Sequence, residues 1–326
     1  VKLLLIYDVP GWAFHHIGTG LQKYAPDGCE LTLVSHEGYY ADYFEHPSAC
    51  EPFDAAVALS IYTARGEIRP WFAFACSHAF RFATKEESDW RTRGVNPNRC
   101  ESAARSFLSD EVDWVFACCS EVQEAFTRHA DRVSLLPQGL DDTVFFPRKR
   151  NRSGKLRAGW CGQRYANFKG YAEILCPLMA QTSGKWSWEI NRRGYQGART
   201  PLQQAEWYRS LDLFVCTSIA EGGPLPPFEA AACGVPVLTT DVGSVKDWKM
   251  PEGPWRVKPY RDRRSARATV NRMAQVMSSF EPDPSLGREF AESIQRDWTW
   301  RVISPRWCAE LSRLLATWPE WKGETL

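Results

Sequence analysis

The stretch from 211 to 240, LDLFVCTSIAEGGPLPPFEAAACGVPVLTT, decides the fold. LDLFVC (211–216) and VPVLTT (235–240) are short apolar runs of strand length. Between them FEAAAC (228–233) lies on a helix that opens near Pro226–Pro227. Proline is tolerated there because the first-turn N–H groups have no intrahelical acceptor. Strand, helix and strand in about 30 residues make a βαβ unit, and strands apolar on both faces belong to a parallel sheet covered by helices.

The same alternation extends outward on both sides. LRAGWC (156–161) and WSWEIN (186–191) read as strands, with a helix after Gly170 and another over 201–210. Further back, KLLLIYD (2–8), ELTLVS (30–35), DAAVALS (54–60), WFAFAC (71–76), DWVFACC (113–119) and RVSLL (132–136) read as strands, with a helix over 13–24. Towards the end, 263–279 and 296–316 read as helices. The basic, turn-rich segment FFPRKRNRSGK (145–155) reads as a linker between two halves. The expected fold is α/β: two Rossmann-like doubly wound domains facing a central cleft, with ligands beyond the carboxyl ends of the strands.

At 326 residues the chain has room for two cores, and 44% hydrophobic with 24% charged residues excludes wholesale disorder. No apolar run approaches the ~18 residues of a membrane span, and no secretory signal is evident. The expected location is the cytoplasm, with peripheral membrane contact left open. The 11 cysteines contain no CxxC pair and no zinc spacing. Most of them end apolar strands, so buried reduced thiols in a reducing compartment are expected rather than disulfides. The net charge of +1 hides a division: residues 1–150 carry 15 Lys and Arg against 21 Asp and Glu, residues 151–326 carry 25 against 18. One half is thus the better host for an anion.

Glu221-Gly-Gly-Pro-Leu-Pro-Pro-Phe-Glu229 is the chemically informative segment. Glu221 follows a strand, and Glu229 is expected in the first turn of the next helix. Gly222 and Gly223 leave backbone N–H groups at that helix mouth, where anions bind. Acids beside an anion site suit a ligand that carries hydroxyls and phosphates together. Either glutamate alone would be an ordinary helix start. Upstream, however, Gly162-Gln163-Arg164 and Lys169-Gly170 bracket a second loop at a strand end. An Arg fork and a Lys point charge are usual partners of a diphosphate.

The two motifs together resemble the retaining glycosyltransferases of family 4, which have the GT-B fold. Glu221 and Glu229 match the Glu-x7-Glu mark of that family, followed by Gly234-Val-Pro-Val237. Arg164-x4-Lys169-Gly170 is similar to its G-R-x4-K-G element, with Gln163 as an extra residue after Gly162. Leu136-Pro-Gln-Gly-Leu-Asp-Asp-Thr-Val-Phe-Phe-Pro147 resembles its P-N-G-V-D…F-x-P segment, with Gln138 in place of Asn. Cys119-Ser-Glu121 sits at its V-S-E position, and Trp298 to Trp307 resembles its terminal helix. The resemblance implies three segments: an acceptor-side domain over 1–148, a nucleotide-sugar domain over 149–295, and a helix over 296–326 that packs back on the first domain.

The resemblance also implies roles. Arg164 and Lys169 hold the donor diphosphate, Glu229 the nucleotide ribose and Glu221 the donor sugar. The Gly222 and Gly223 amides hold sugar hydroxyls, and the amide near Leu225 holds phosphate. Gly11 stands where the family keeps a Gly loop against the diphosphate, and His78 where members often have a cleft histidine. His15 and His16 are further candidates for that cleft. Glu221, His78, Arg164 and Lys169 form the expected catalytic set. Charge development at the glycosyl–phosphate bond is met by fixed cations and amides, so no metal and no cofactor are expected. The expected reaction is retaining sugar transfer from a nucleotide sugar, such as a UDP-sugar, to a hydroxyl of a glycan, lipid-linked or small-molecule acceptor. Two alternatives stay open. Arg81, Lys85, Arg91, Arg93, Arg99 and Arg105 beside Trp90 would suit a DNA glycosyltransferase acting on a flipped hydroxymethylated base, although Glu86, Glu87, Asp89 and Glu101 interleave. The other alternative is a non-catalytic nucleotide-sugar-binding protein.

Overall fold

The computed structural model describes residues 1–11, 13–59, 70–75, 112–127, 131–148, 154–163, 167–192, 199–260 and 263–322. They form two compact units: residues up to Gly139 together with those from Trp300 onward make the first, and Leu140–Thr299 the second.

The first unit holds a six-stranded parallel sheet in the order β2-β1-β3-β4-β5-β6. Its strands are β1 (Lys2–Tyr7), β2 (Glu30–Ser35), β3 (Ala55–Ala58), β4 (Trp71–Ala75), β5 (Trp114–Ala117) and β6 (Val133–Leu135). All of AAVA in β3 and WFAFA in β4 is buried, as central parallel strands require, while the edge strand β2 is only partly covered. Helices α1 (Ala13–Lys23), α2 (His36–Tyr39) and α3 (Ser120–Thr127) belong to this unit.

The second unit holds a five-stranded parallel sheet in the order β11-β10-β9-β7-β8. Its strands are β7 (Leu156–Gly162), β8 (Trp186–Arg192), β9 (Leu213–Cys216), β10 (Val237–Thr240) and β11 (Arg256–Val257). Its helices are α4 (Cys176–Thr182), α5 (Pro201–Arg209), α6 (Leu225–Ala232), α7 (Arg263–Ser279) and α8 (Pro284–Asp297). The quoted stretch is thus β9, α6 and β10, with Val237 in register with Phe214.

One aspartate device sets register three times. Asp54, Asp113 and Asp212 each precede a strand and accept the N–H of Lys2, Trp71 and Arg157 on the neighbouring strand, at 2.8, 2.7 and 2.8 Å. Such a clamp satisfies an orphan donor at the strand start, and a one-residue slip would lose it.

Two of the expected element boundaries are corrected. Of the linker expected over 145–155, residues 145–148 belong to the second unit: Phe145 is buried in its core, and Arg209 donates to the carbonyls of Phe146 and Val144 at 3.0 and 2.8 Å. The helix expected over 296–316 is interrupted. α8 ends at Asp297, and α9 (Trp300–Lys322) restarts beyond Trp298 and Thr299. α9 joins the first unit, where Trp307 packs on Phe74 and Phe116 and donates to the Pro137 carbonyl at 2.9 Å.

The cysteines are not all reduced either. Cys29, just before β2, is disulfide-bonded to Cys308 on α9 with Cα atoms 6.4 Å apart, while Cys50, Cys118, Cys119, Cys161, Cys216 and Cys233 are buried thiols outside any disulfide. Among the described residues no helix is long and apolar enough to cross a membrane.

Candidate functional site

In the second sheet the chain passes from β7 to β8 on one side, then returns to place β9 on the other side of β7. The carboxyl ends of β7 and β9 therefore lie at a topological switch point, the usual ligand position in such sheets. The loop after β7 carries Lys169 and the loop after β9 carries Glu221.

Local chemistry brings the two loops together. Gly170 has φ +64°, and a Cβ there would lie 2.2 Å from the Thr217 carbonyl oxygen, so only glycine lets this turn close onto the end of β9. The Thr217 hydroxyl donates to the Lys169 carbonyl at 2.7 Å and accepts from Trp160 Nε1 at 3.0 Å. The Ile219 N–H donates to the Phe168 carbonyl at 2.7 Å. With the loops fastened this way, Lys169 Nζ stands 2.5 Å from Glu221 Oε1, and the Ser218 hydroxyl donates to the same oxygen at 2.7 Å.

Burial alone would pull the Lys169 ammonium down. The Glu221 charge and hydrogen bond outweigh it and hold the group above its ordinary 10.5. Cys216 lies beside the pair, and its thiol is pushed up, first by burial and then by the Glu221 charge, so it stays neutral. The result is a buried ion pair at the switch point of the sheet.

The next residues form the floor. The Gly222 carbonyl accepts the Ser244 N–H at 2.8 Å, and Gly243 at φ +54° passes so close that a Cβ would lie 2.1 Å from that carbonyl oxygen. The Thr240 hydroxyl donates to the Ser218 carbonyl. Helix α6 begins at Leu225 after Pro224, with no side-chain cap. Its second and third residues, Pro226 and Pro227, have no N–H, so Leu225 supplies the amide of the first three helical positions. The anion-binding character expected of this helix mouth thus narrows to Leu225 and the Gly222 and Gly223 backbone.

Glu229 lies in the second turn of α6 and not, as expected, in the first, because the helix starts at Leu225. It is buried, and Tyr208 on α5 donates its phenolic O–H to Glu229 Oε2 at 2.6 Å. Gly162 ends β7 next to Lys169, a Cβ there lying 3.5 Å from Lys169 Cδ.

Lys169, Glu221, Gly222, Gly223, Leu225, Glu229 and Gly162 are therefore gathered at the carboxyl edge of one sheet. Gly11 belongs to the first unit, after β1, where its N–H is already given to His15 Nδ1 at 2.9 Å. The His15 ring packs on Tyr7 and lies against His16. Arg164 and His78 lie outside the described residues. Ser218, Thr217, Trp160 and Tyr208 were not singled out from the sequence, since a hydroxyl or an aromatic in a strand or helix carries no periodic signal of its own.

Residues 188–275 match the family described as Glycosyl transferases group 1. A 42-residue segment is 55% identical to the lipopolysaccharide core biosynthesis mannosyltransferase LpsB of Rhizobium meliloti, covering 13% of this chain and 12% of that protein. A longer segment is 25% identical to the D-inositol 3-phosphate glycosyltransferase of Paenarthrobacter aurescens, covering 46% of this chain and 45% of that protein. The chain thus spans less than half the length of either relative. Among solved structures, a sucrose-phosphate synthase of Thermosynechococcus elongatus is similar with a TM-score of 0.71, 15% identity, and 97% and 99% of the two chains covered. Anabaena HepE in complex with UDP-glucose is similar with a TM-score of 0.63, 12% identity, and 96% and 99% covered. With two parallel sheets in two units, these likenesses give the chain an α/β GT-B fold.

Proposed function

We propose that this chain is a metal-independent, retaining glycosyltransferase that takes a sugar from a nucleotide-diphosphate donor to a hydroxyl acceptor. The observation that carries the reading is the Lys169–Glu221 pair, buried at 2.5 Å where the loops after β7 and β9 meet at the switch point of the sheet. The family match over 188–275 includes Glu221 and Glu229, and HepE has been seen with UDP-glucose, which supports a nucleotide sugar and favours a uridine base. The relatives named as a lipopolysaccharide core mannosyltransferase and an inositol phosphate glycosyltransferase support a glycan or small polyol acceptor, free or lipid-linked.

In this reading Lys169, with Arg164, neutralises the diphosphate. Glu221 accepts from donor-sugar hydroxyls, the Gly222 and Gly223 amides hold that sugar, and Leu225 N–H meets the phosphate. Glu229 accepts from the ribose. The bond between the anomeric carbon and the diphosphate oxygen breaks, and its electron pair goes to the leaving diphosphate. The acceptor oxygen bonds the anomeric carbon on the same face, and its proton passes to the leaving phosphate oxygen. Lys169 is already charged and fixed, so it stabilises the growing negative charge with little reorganisation. On donor entry it exchanges part of its contact with Glu221 for phosphate, which frees the carboxylate to accept from the sugar.

The test is a panel of UDP-, GDP- and ADP-sugars scored for hydrolysis and for thermal stabilisation, followed by NMR of the product anomer. Retained configuration with one nucleotide series is expected. Inversion would remove the retaining mechanism, and silence to every nucleotide sugar would remove the whole reading.

A further inference from the structure

We infer that Tyr208 is the positioning residue for the donor's ribose, acting through Glu229; the inference rests on the ribose role proposed above for Glu229. Tyr208 is fully buried near the end of α5, its ring held against Trp207, Phe214 and Phe145 with centroids 5.0, 5.5 and 6.5 Å away. A ring fixed on three sides makes its hydroxyl a stationary donor. That hydroxyl meets Glu229 Oε2 at 2.6 Å, the length of a charge-assisted O–H···O⁻ bond.

Glu229 is buried on α6, flanked in sequence by Phe228 and the small residues Ala230, Ala231 and Ala232. An ionised carboxylate is an acceptor only, and a ribose diol offers two O–H donors, so the chemistries match. A carboxylate that rotates freely about its last torsion, which is broad and roughly two-fold, would present its oxygens in no fixed plane. The Tyr208 bond selects one plane and costs no further ordering at donor binding. Tyr208 touches no substrate in this scheme; it sets where the acceptor oxygens of Glu229 lie.

The experiment uses the full chain and isothermal titration with UDP, 2′-deoxy-UDP and 3′-deoxy-UDP. The unaltered protein is expected to favour UDP over the more weakly bound deoxy analogue by on the order of 10- to 100-fold, the range for a hydrogen bond to a charged group. Tyr208→Phe keeps every ring contact and drops the bond. It is expected to reduce that preference to about 3-fold or less by weakening UDP while leaving the deoxy analogue nearly unchanged. Phe145→Leu loosens the same core without removing the hydroxyl and should leave the preference intact. If Tyr208→Phe does not fold, Tyr208→Met, which also lacks the hydroxyl and leaves Glu229 unaltered, takes its place with the same expectation. A Tyr208→Phe protein that weakens all three ligands alike, or keeps the full preference, overturns the inference and leaves the donor reading standing. An unaltered protein that binds UDP without any ribose preference overturns the role of Glu229 and this inference with it. Failure of the unaltered protein to bind UDP, GDP or ADP removes the donor reading itself.

Discussion

Lys169 and Glu221, 52 residues apart in the chain, share one hydrogen bond of 2.5 Å with side chains only 18% and 9% exposed. Removing one partner strands the other as a buried charge, which in comparable pairs costs about 3–5 kcal/mol. Lys169→Met should therefore lower unfolding stability by about 3 kcal/mol in urea titration, and lower turnover far more than that loss of folded protein explains. The double variant Lys169→Met with Glu221→Gln should recover part of the stability and none of the turnover. Full recovery of turnover would count against a role for the pair in chemistry.

The same pair gives a pH dependence of known sign. Lys169 is held above its ordinary 10.5 in the folded state. Its contribution is thus fully present below the unfolded value and is lost as pH rises through the folded one. The melting temperature should hold through neutral pH, then fall above about pH 10.5 more steeply in the unaltered chain than in Lys169→Met. Parallel alkaline limbs in the two proteins would show that the ion pair does not contribute.

Ser218 shares its acceptor oxygen with Lys169, donating at 2.7 Å, so it fixes the Glu221 carboxylate independently of the cation. Ser218→Ala should reduce kcat by on the order of 10- to 100-fold, the range for a hydrogen bond to a charged group, with a smaller change in donor KM. Ser218→Thr keeps the hydroxyl and should restore most of the rate. A rate unchanged in Ser218→Ala would show that Lys169 and the backbone suffice to aim Glu221.

The legible and illegible parts of this site separate along physical lines. Strand periodicity and the proline pair identify β9, α6 and β10 because each is a local property of the chain. Lys169 and Glu221 are legible as rim residues, since their loops leave neighbouring strands. Their direct bond is not, because it depends on the Gly170 turn meeting Thr217 across the sheet. Tyr208 and Ser218 escape for the same reason. Helix α8, outside the helices expected from the sequence, carries local signals all the same: Asp283 caps it by accepting the Ser285 N–H at 2.7 Å, Pro284 opens it, and Leu286, Phe290 and Ile294 recur at helical spacing. The disulfide was beyond reach, because 11 cysteines without a framework spacing fix no pairing.

Glu310 on α9 accepts from Arg313 at 2.7 and 2.8 Å and from the Ser134 hydroxyl of β6 at 2.5 Å. The Arg313 hydrogen bonds lead, against a smaller opposing effect of burial, in holding its carboxyl below the ordinary 4.5. A depressed carboxylate contributes above its unfolded value and loses that contribution as pH falls through the folded one. Glu310→Gln should therefore flatten the acid limb of the melting curve below about pH 4.5, with little effect at pH 7 beyond a few tenths of a kcal/mol. An unchanged acid limb would place the sensitivity elsewhere.

The Cys29–Cys308 bond joins the approach to β2 with α9, across 279 residues of sequence. A cross-link over so long a loop restricts the unfolded chain strongly, and such bonds typically contribute about 2–4 kcal/mol. It fastens α9 beside other contacts, among them the Ser304 hydroxyl on the Leu21 carbonyl at 2.9 Å and Trp307 on the Pro137 carbonyl at 2.9 Å. α9 should accordingly stay docked without the bond but melt at a lower temperature. Treatment with a thiol reductant should lower the melting temperature by several degrees. Cys308→Ser should melt at that lower temperature and show no further response to reductant. Alkylation of the denatured, unreduced chain followed by mass measurement checks the premise directly. Cys29 and Cys308 are expected to escape modification, and their modification would mean that they pack as a reduced pair, in which case the sequence-based expectation of a reducing compartment regains its ground.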